Sequence, residues 1–231
     1  FNEAQKRWRK AECADITVPL YWDNPEGDTI TIYVKRLRAL LKATKQMWWL
    51  DGGPGSAGTA SLPPVMQSIA RLDWRIDLYT LDHRGTGYSN RLGCPEQEAD
   101  DSEEGIFVMP SEGDACIEHL EANYNLDAFT VTEAAKDVGF LVELLKEESK
   151  EIFIYGRSYG TYWGHRYAQM FPNQADGLIF DGIVPSVIEF EQHEILGNDV
   201  AKEFLDICKE DEFCKSKMGD DPWSKANDIL K

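Results

Sequence analysis

An α/β fold, a mostly parallel sheet with helices on both faces, is the architecture this sequence predicts, and three observations predict it. Short, solidly apolar runs such as Met47-Trp48-Trp49-Leu50 and Ile152-Phe153-Ile154-Tyr155 read as strands buried on both sides. Stretches of helical periodicity alternate with them, as crossover helices between parallel strands require. Both runs stop at glycine-bearing turns, Asp51-Gly52-Gly53-Pro54-Gly55 and Gly156-Arg157-Ser158-Tyr159-Gly160, where a buried strand leaves its sheet.

Taken in order, Ile16 to Tyr21 and Thr29 to Leu37 read as two β segments, joined by the turn chemistry of Asn24-Pro25-Glu26-Gly27-Asp28. The two tryptophans of the next strand belong in the core. A helical pattern from Thr59 to Leu72 follows, interrupted early by Pro63-Pro64. Ile76 to Leu81 reads as a strand that ends at Asp82-His83-Arg84-Gly85. Residues 88 to 128 are irregular, with one helical segment from Asp114 to Tyr124. Thr130 to Glu148 is the clearest helix: Thr130 or Thr132 can cap it, and Ala134, Val138, Leu141, Val142 and Leu145 recur at helical spacing. A helix after Ser158 and a strand over Leu178-Ile179-Phe180-Asp181 complete the core, residues 1–186. Residues 187–231 read as the beginning of a helical cap over the sheet's C-terminal edge, with a helix from Glu189 to Lys209, a Cys208–Cys214 loop and a short amphipathic tail.

The 231 residues suffice for a substantial core. A net charge of −17 argues against nucleic acid or an anionic membrane as partner, and no apolar run reaches the length of a membrane span. The sequence opens on Phe1 instead of Met, which reads as a mature or excised piece and leaves room for a lost leader. The five cysteines form no C-x-x-C pair and the histidines do not cluster with them, so neither a zinc site nor any other cofactor is expected. Cys94 and Cys116 bracket the irregular insertion, and Cys208 lies six residues from Cys214. Both spacings suit local disulfides and a secreted or lumenal setting, the alternative being buried free thiols in a cytosolic enzyme. Cys13 is left over.

Ser158 carries the chemistry. A serine between two glycines, on a sharp turn from strand to helix, has the form of the nucleophile elbow of the α/β-hydrolases. A side chain at either flanking glycine would collide with the neighbouring strand and helix, and the helix N-terminus points at whatever negative charge forms above the serine. The hydroxyl needs a base, an orienting acid and oxyanion donors. The backbone N–H of Tyr159 is one expected donor. The second is expected from the glycine loop, with Gly53 favoured and Gly52 next; such a donor contributes ~3 kcal/mol in the transition state.

Three motifs in this order, Gly52 to Gly58, Asp82 to Ser89 and Gly156 to Thr161, resemble one branch of the α/β-hydrolases: the proline iminopeptidase and tripeptidyl-aminopeptidase-like serine peptidases. Val18-Pro19-Leu20, Tyr167 to Pro172 and Asp181-Gly182 extend the likeness, which runs from about Cys13 to Val184. The paired cysteines of the second element are similar to those on the cap of secreted tripeptidyl-aminopeptidase-like members. Asp51 departs from the iminopeptidase pattern, which has a histidine there, and so favours the tripeptidyl-aminopeptidase side.

That resemblance implies an exopeptidase acting on peptides through an acyl-enzyme, with the catalytic Asp and His following the cap, beyond Lys231. Local candidates are weaker. His165 lies two helical turns from Ser158, at least ~10 Å along the axis. His83 sits in a turn that Asp82 and Arg84 brace, and His119 lies on the irregular insertion. His193, oriented by Asp181, is the one conceivable local pair. Glu189, Glu191 and Glu194 could hold a substrate amine, although an acidic helix face is commonly just solvated. The competing readings are a carboxylesterase or lipase of the same fold and a binding module that retains the fold without catalysis. Oligomeric state is not legible.

Overall fold

The structure, a computed structural model, describes residues 11–102, 105, 108–187 and 193–230. Six strands form one sheet: β1 (Glu12–Pro19), β2 (Thr29–Leu37), β3 (Lys45–Leu50), β4 (Ile76–Leu81), β5 (Glu151–Arg157) and β6 (Gly177–Asp181), in the spatial order β1-β2-β4-β3-β5-β6. β1 and β2 make an antiparallel hairpin that joins β4, also antiparallel, whereas β4, β3, β5 and β6 run parallel. The expected strand at 16–21 therefore starts earlier and stops at Pro19. Its turn is closed by bonds from Asn24 N–H to Tyr21 C=O and from Gly27 N–H to Asn24 C=O.

The helices of the larger unit are α1 (Gly58–Leu72), α2 (Gly113–Asn123), α3 (Val131–Leu145) and α4 (Tyr159–Met170). Strand alternation sends neighbouring tryptophans to opposite faces of the sheet. Trp48 stacks on Tyr79 and joins Val138, Leu141 and Trp163 from α3 and α4 in one core. Trp49 stacks on Tyr155 and joins Ile69 of α1 in the other. Thr130 caps α3, its hydroxyl accepting from Glu133 N–H. α1 corrects one expectation, for it runs unbroken through Pro63-Pro64. Pro63 has no N–H to offer the carbonyl of Thr59 four residues back, and the Lys35 ammonium donates to that oxygen instead, at 2.6 Å.

The chain divides into two compact units at Ser186/Val187. The smaller contains α5 (His193–Asp206), a 3₁₀ turn at Ile207–Lys209, α6 (Glu212–Met218) and α7 (Pro222–Leu230). The expected helix from Glu189 thus begins at His193 among the described residues and tightens at its end, while residues 188–192 lie outside them. The expected Cys208–Cys214 loop is a turn between helices, with Asp211 capping α6 by accepting from Cys214 N–H. The amphipathic tail is α7, with Pro222 at its first position, where the missing N–H costs nothing. Disulfides join Cys94 to Cys116 and Cys208 to Cys214; Cys13 is free and exposed.

Candidate active site

Ser158 stands between the end of β5 and the start of α4 with φ 53° and ψ −124°. For a residue with a side chain this backbone is strained by ~1–3 kcal/mol, and it persists only where surroundings impose it. Three hydrogen bonds do so. Ser158 N–H donates to the Asp181 carbonyl at 2.8 Å, and the Ser158 carbonyl accepts from Thr161 N–H and from the buried Thr161 hydroxyl at 2.8 and 2.7 Å. The Thr161 oxygen in turn accepts from Val184 N–H, tying the elbow to the segment after β6. The flanking glycines are steric necessities. A Cβ on Gly156 would lie 2.4 Å from the Gly160 carbonyl oxygen, and one on Gly160 only 2.0 Å from that of Leu50 on β3. Tyr159, at the first position of α4, presents the N–H expected as an oxyanion donor.

The glycine loop lies against the serine. A Cβ on Gly52 would meet Ser158 Cβ and the Arg157 carbonyl at 3.0 Å, so the 52–53 segment passes alongside the candidate nucleophile. Gly53, with φ +115°, occupies a conformation that other residues avoid. The Asp51 carboxylate accepts from the Ser61 hydroxyl of α1, which anchors the loop to its helix.

The match to a family model, of the α/β hydrolase fold, covers residues 50–201 and so takes in the loop, the turn and the elbow. The chain belongs to the α/β-hydrolase fold family. It is 28% identical to the serine protease Hip1 of Mycobacterium tuberculosis over 95% of this chain and 45% of that protein. It is also 28% identical to the tripeptidyl aminopeptidase of Streptomyces coelicolor, over 83% of this chain and 39% of the other. The chain therefore spans less than half the length of these curated relatives. Among solved structures, the α/β hydrolase GrgF from Penicillium sp. aligns with a TM-score of 0.48 at 15% identity, covering 86% of this chain and 55% of that one.

Around the elbow of this hydrolase fold, the 82–89 turn is a brace. The buried Asp82 carboxylate accepts from Thr59 N–H and hydroxyl and from Tyr88 N–H, at 2.8 to 2.9 Å. Arg84, also buried, donates Nε and Nη2 to Asp137 at 2.8 and 2.7 Å and Nη1 to the carbonyls of Leu20 and Ala128 at 2.7 Å. Burial pushes the Asp137 carboxyl up and the Arg84 fork pulls against it. Sequence reading missed Asp137 as this partner, although a carboxylate beside Val138 and Leu141 on the apolar stripe of α3 was the available signal.

Among the described side chains of the larger unit, no histidine is hydrogen-bonded to Ser158. His83 is committed elsewhere, its Nδ1–H donating to the Arg84 carbonyl at 2.7 Å while its ring meets the edge of Trp163 at 4.7 Å. Burial, more than the Arg84 charge, drives its imidazole down to about 4. His165 packs on Phe180 of β6, and His119 is half-exposed on α2. His193 opens α5, but its side chain and that of Glu194 lie outside the description, as do Glu189 and Glu191 entirely. Asp181 accepts from the Tyr155 phenol at 3.1 Å; burial first, and then this carboxylate, push that phenol up. Among the described residues no three His, Cys, Asp or Glu side chains gather as a metal would require, and no helix is long and apolar enough to cross a membrane.

Proposed function

We propose that this chain is the nucleophile-bearing part of a serine peptidase that releases short N-terminal pieces from peptides through an acyl-enzyme. The observation that carries the reading is the strained elbow at Ser158 with the Gly52–Gly53 segment against it. In the proposed cycle Ser158 Oγ attacks the scissile carbonyl while its proton passes to a histidine, and the oxyanion is held by the N–H groups of Gly53 and Tyr159. Collapse breaks the C–N bond, and the leaving amine takes the proton. Water then adds to the ester, with the same histidine as base, and releases the acid. The base and its orienting Asp come from sequence beyond residue 231, a reading that the relatives' greater length and the contacts that occupy His83 and His165 support. Residues 187–231 form the beginning of a helical cap, and the exposed Leu196, Val200 and Phe204 along α5 suit an element that packs into a larger one. The relatives' names favour peptides over simple esters, and the two disulfides favour a secreted or lumenal setting.

The test is fluorophosphonate labelling of the whole protein, followed by comparison of aminoacyl amides with simple acyl esters. Labelling is expected at Ser158 and lost in Ser158→Ala, with amides bearing a free N-terminus as the better substrates. Preferred cleavage of acyl esters would favour the esterase reading. A whole protein that never labels would support a non-catalytic module and overturn the proposal.

A further inference from the structure

On the larger unit a pocket of about 180 Å³ lies between α3 and α4, with Thr132, Tyr162, His165, Arg166, Gln169 and Ser186 in its wall. Its size suits a group of a few atoms, well below the ~300 Å³ at which drug-sized ligands begin to fit. Among the described residues the wall has no carboxylate, in a chain with 41 acidic side chains against 24 basic ones. Arg36, Arg38, Arg84 and Arg91 each meet an acidic partner, but the half-buried Arg166 meets none among the described residues. Its guanidinium is nevertheless fixed in place. Nε donates to the Thr132 hydroxyl at 3.0 Å and Nη1 to Gln169 Oε1 at 3.1 Å, which uses two of five N–H donors and sets the plane of the fork. His165 is held beside it by packing on Phe180, with ring centroids 4.5 Å apart.

A planar, oriented fork with free N–H groups matches a carboxylate, which it can bind through two parallel bonds. The net charge of −17 disfavours multiply charged anions more than singly charged ones, so a monocarboxylate fits better than a phosphate. We propose that this pocket binds the carboxylate of a small ligand, with Arg166 as its principal partner and His165 and Ser186 beside it. Tyr162, in the wall, packs on Tyr159 at 5.9 Å, which sets the pocket one helical turn from the elbow. The proposal concerns binding alone and stands apart from the reaction assigned to Ser158.

Titration with acetate, N-acetyl-dialanine and the C-terminal amide of N-acetyl-dialanine, followed by NMR of the Arg166 and His165 side chains, tests it. Saturable shifts are expected with the acids and none with the amide. Comparable binding of both acids identifies a site for free small acids, and binding of the peptide acid alone identifies a site for a peptide C-terminus. Arg166→Gln is expected to weaken binding about tenfold or more, since it removes a charge-assisted pair. Ser186→Asp, on an exposed position, is expected to weaken it by repulsion without disturbing the packing. Equal binding of the amide, no saturable shift, or unchanged affinity in both variants would overturn the proposal.

Discussion

Replacing Arg84 by methionine isolates what the buried brace contributes. Arg84 is 2% exposed and Asp137 fully buried, and the two share a bidentate pair at 2.7 and 2.8 Å. Asp137 also accepts from the Trp22 indole at 2.8 Å, and Arg84 holds the carbonyls of Leu20 and Ala128. Arg84→Met strands a buried carboxylate and leaves two carbonyls unbonded. Loss of one partner of such a pair costs about 3–5 kcal/mol, a large part of the ~5–15 kcal/mol that stabilises a domain. With a urea slope of roughly 2–3 kcal/mol per molar for a chain of this size, the midpoint should fall by about 1–2 M. Circular dichroism reads the global transition, and tryptophan fluorescence includes Trp22 beside the lesion. Adding Asp137→Leu removes the stranded charge, so the double variant should be more stable than the two single losses added together. A single loss below about 1 kcal/mol, or strict additivity in the double variant, would refute the claim that the pair acts as one unit.

Three further outcomes are expected. His83, held down to about 4 by burial against an unfolded value near 6.5, binds fewer protons folded than unfolded, so its stability contribution is present above pH 6.5 and is lost as pH falls through 4. The loss amounts to about 3 kcal/mol, and His83→Gln should show that much less destabilisation between pH 7 and pH 4 in urea titrations at each pH. Cys94→Ser opens a loop of 22 residues and should cost about 3 kcal/mol, read as a lowered Tm that reductant no longer affects at that bridge. Gly52→Ala places a methyl 3.0 Å from Ser158 Cβ and should lower kcat of the whole protein by about tenfold to a hundredfold with little change in Tm, whereas Gly160→Ala, 2.0 Å from a β3 carbonyl, should yield little folded protein.

The sheet was legible because its signals are local. Trp48 and Trp49 sit in an unbroken apolar run, and only a strand covered on both faces can bury both, as the two cores show. The elbow was legible for a related reason: Gly156 and Gly160 each exclude a Cβ from a neighbour's backbone, so the steric demand is written as glycine. Contacts between distant segments left fainter traces. Pro63-Pro64 predicted a broken helix because propensity counts the missing N–H, and nothing near residue 63 announces that Lys35 supplies a replacement donor. Asp137 looked like one more charged position on α3 until Arg84 arrived from β4's turn to meet it.

The same distinction governs the candidate site. Ser158, its glycines and the 52–53 segment are brought together by adjacent strands β3 and β5, whose parallel pairing sets Leu50 opposite Gly156. That register places the end of one run of sequence beside the end of another, and it follows from two apolar strands meeting in the centre of a sheet. A base and its acid carry no such signature. A histidine that must swing over a serine is defined by where a later strand end or loop delivers it, not by its own neighbours in sequence. The histidines here illustrate this from the other side. His83 is tied through Nδ1 to the Arg84 carbonyl and sealed in by Trp163, and His165 is turned onto β6. Both are explained by packing within the larger unit, and the proposed reaction therefore takes its base from neither.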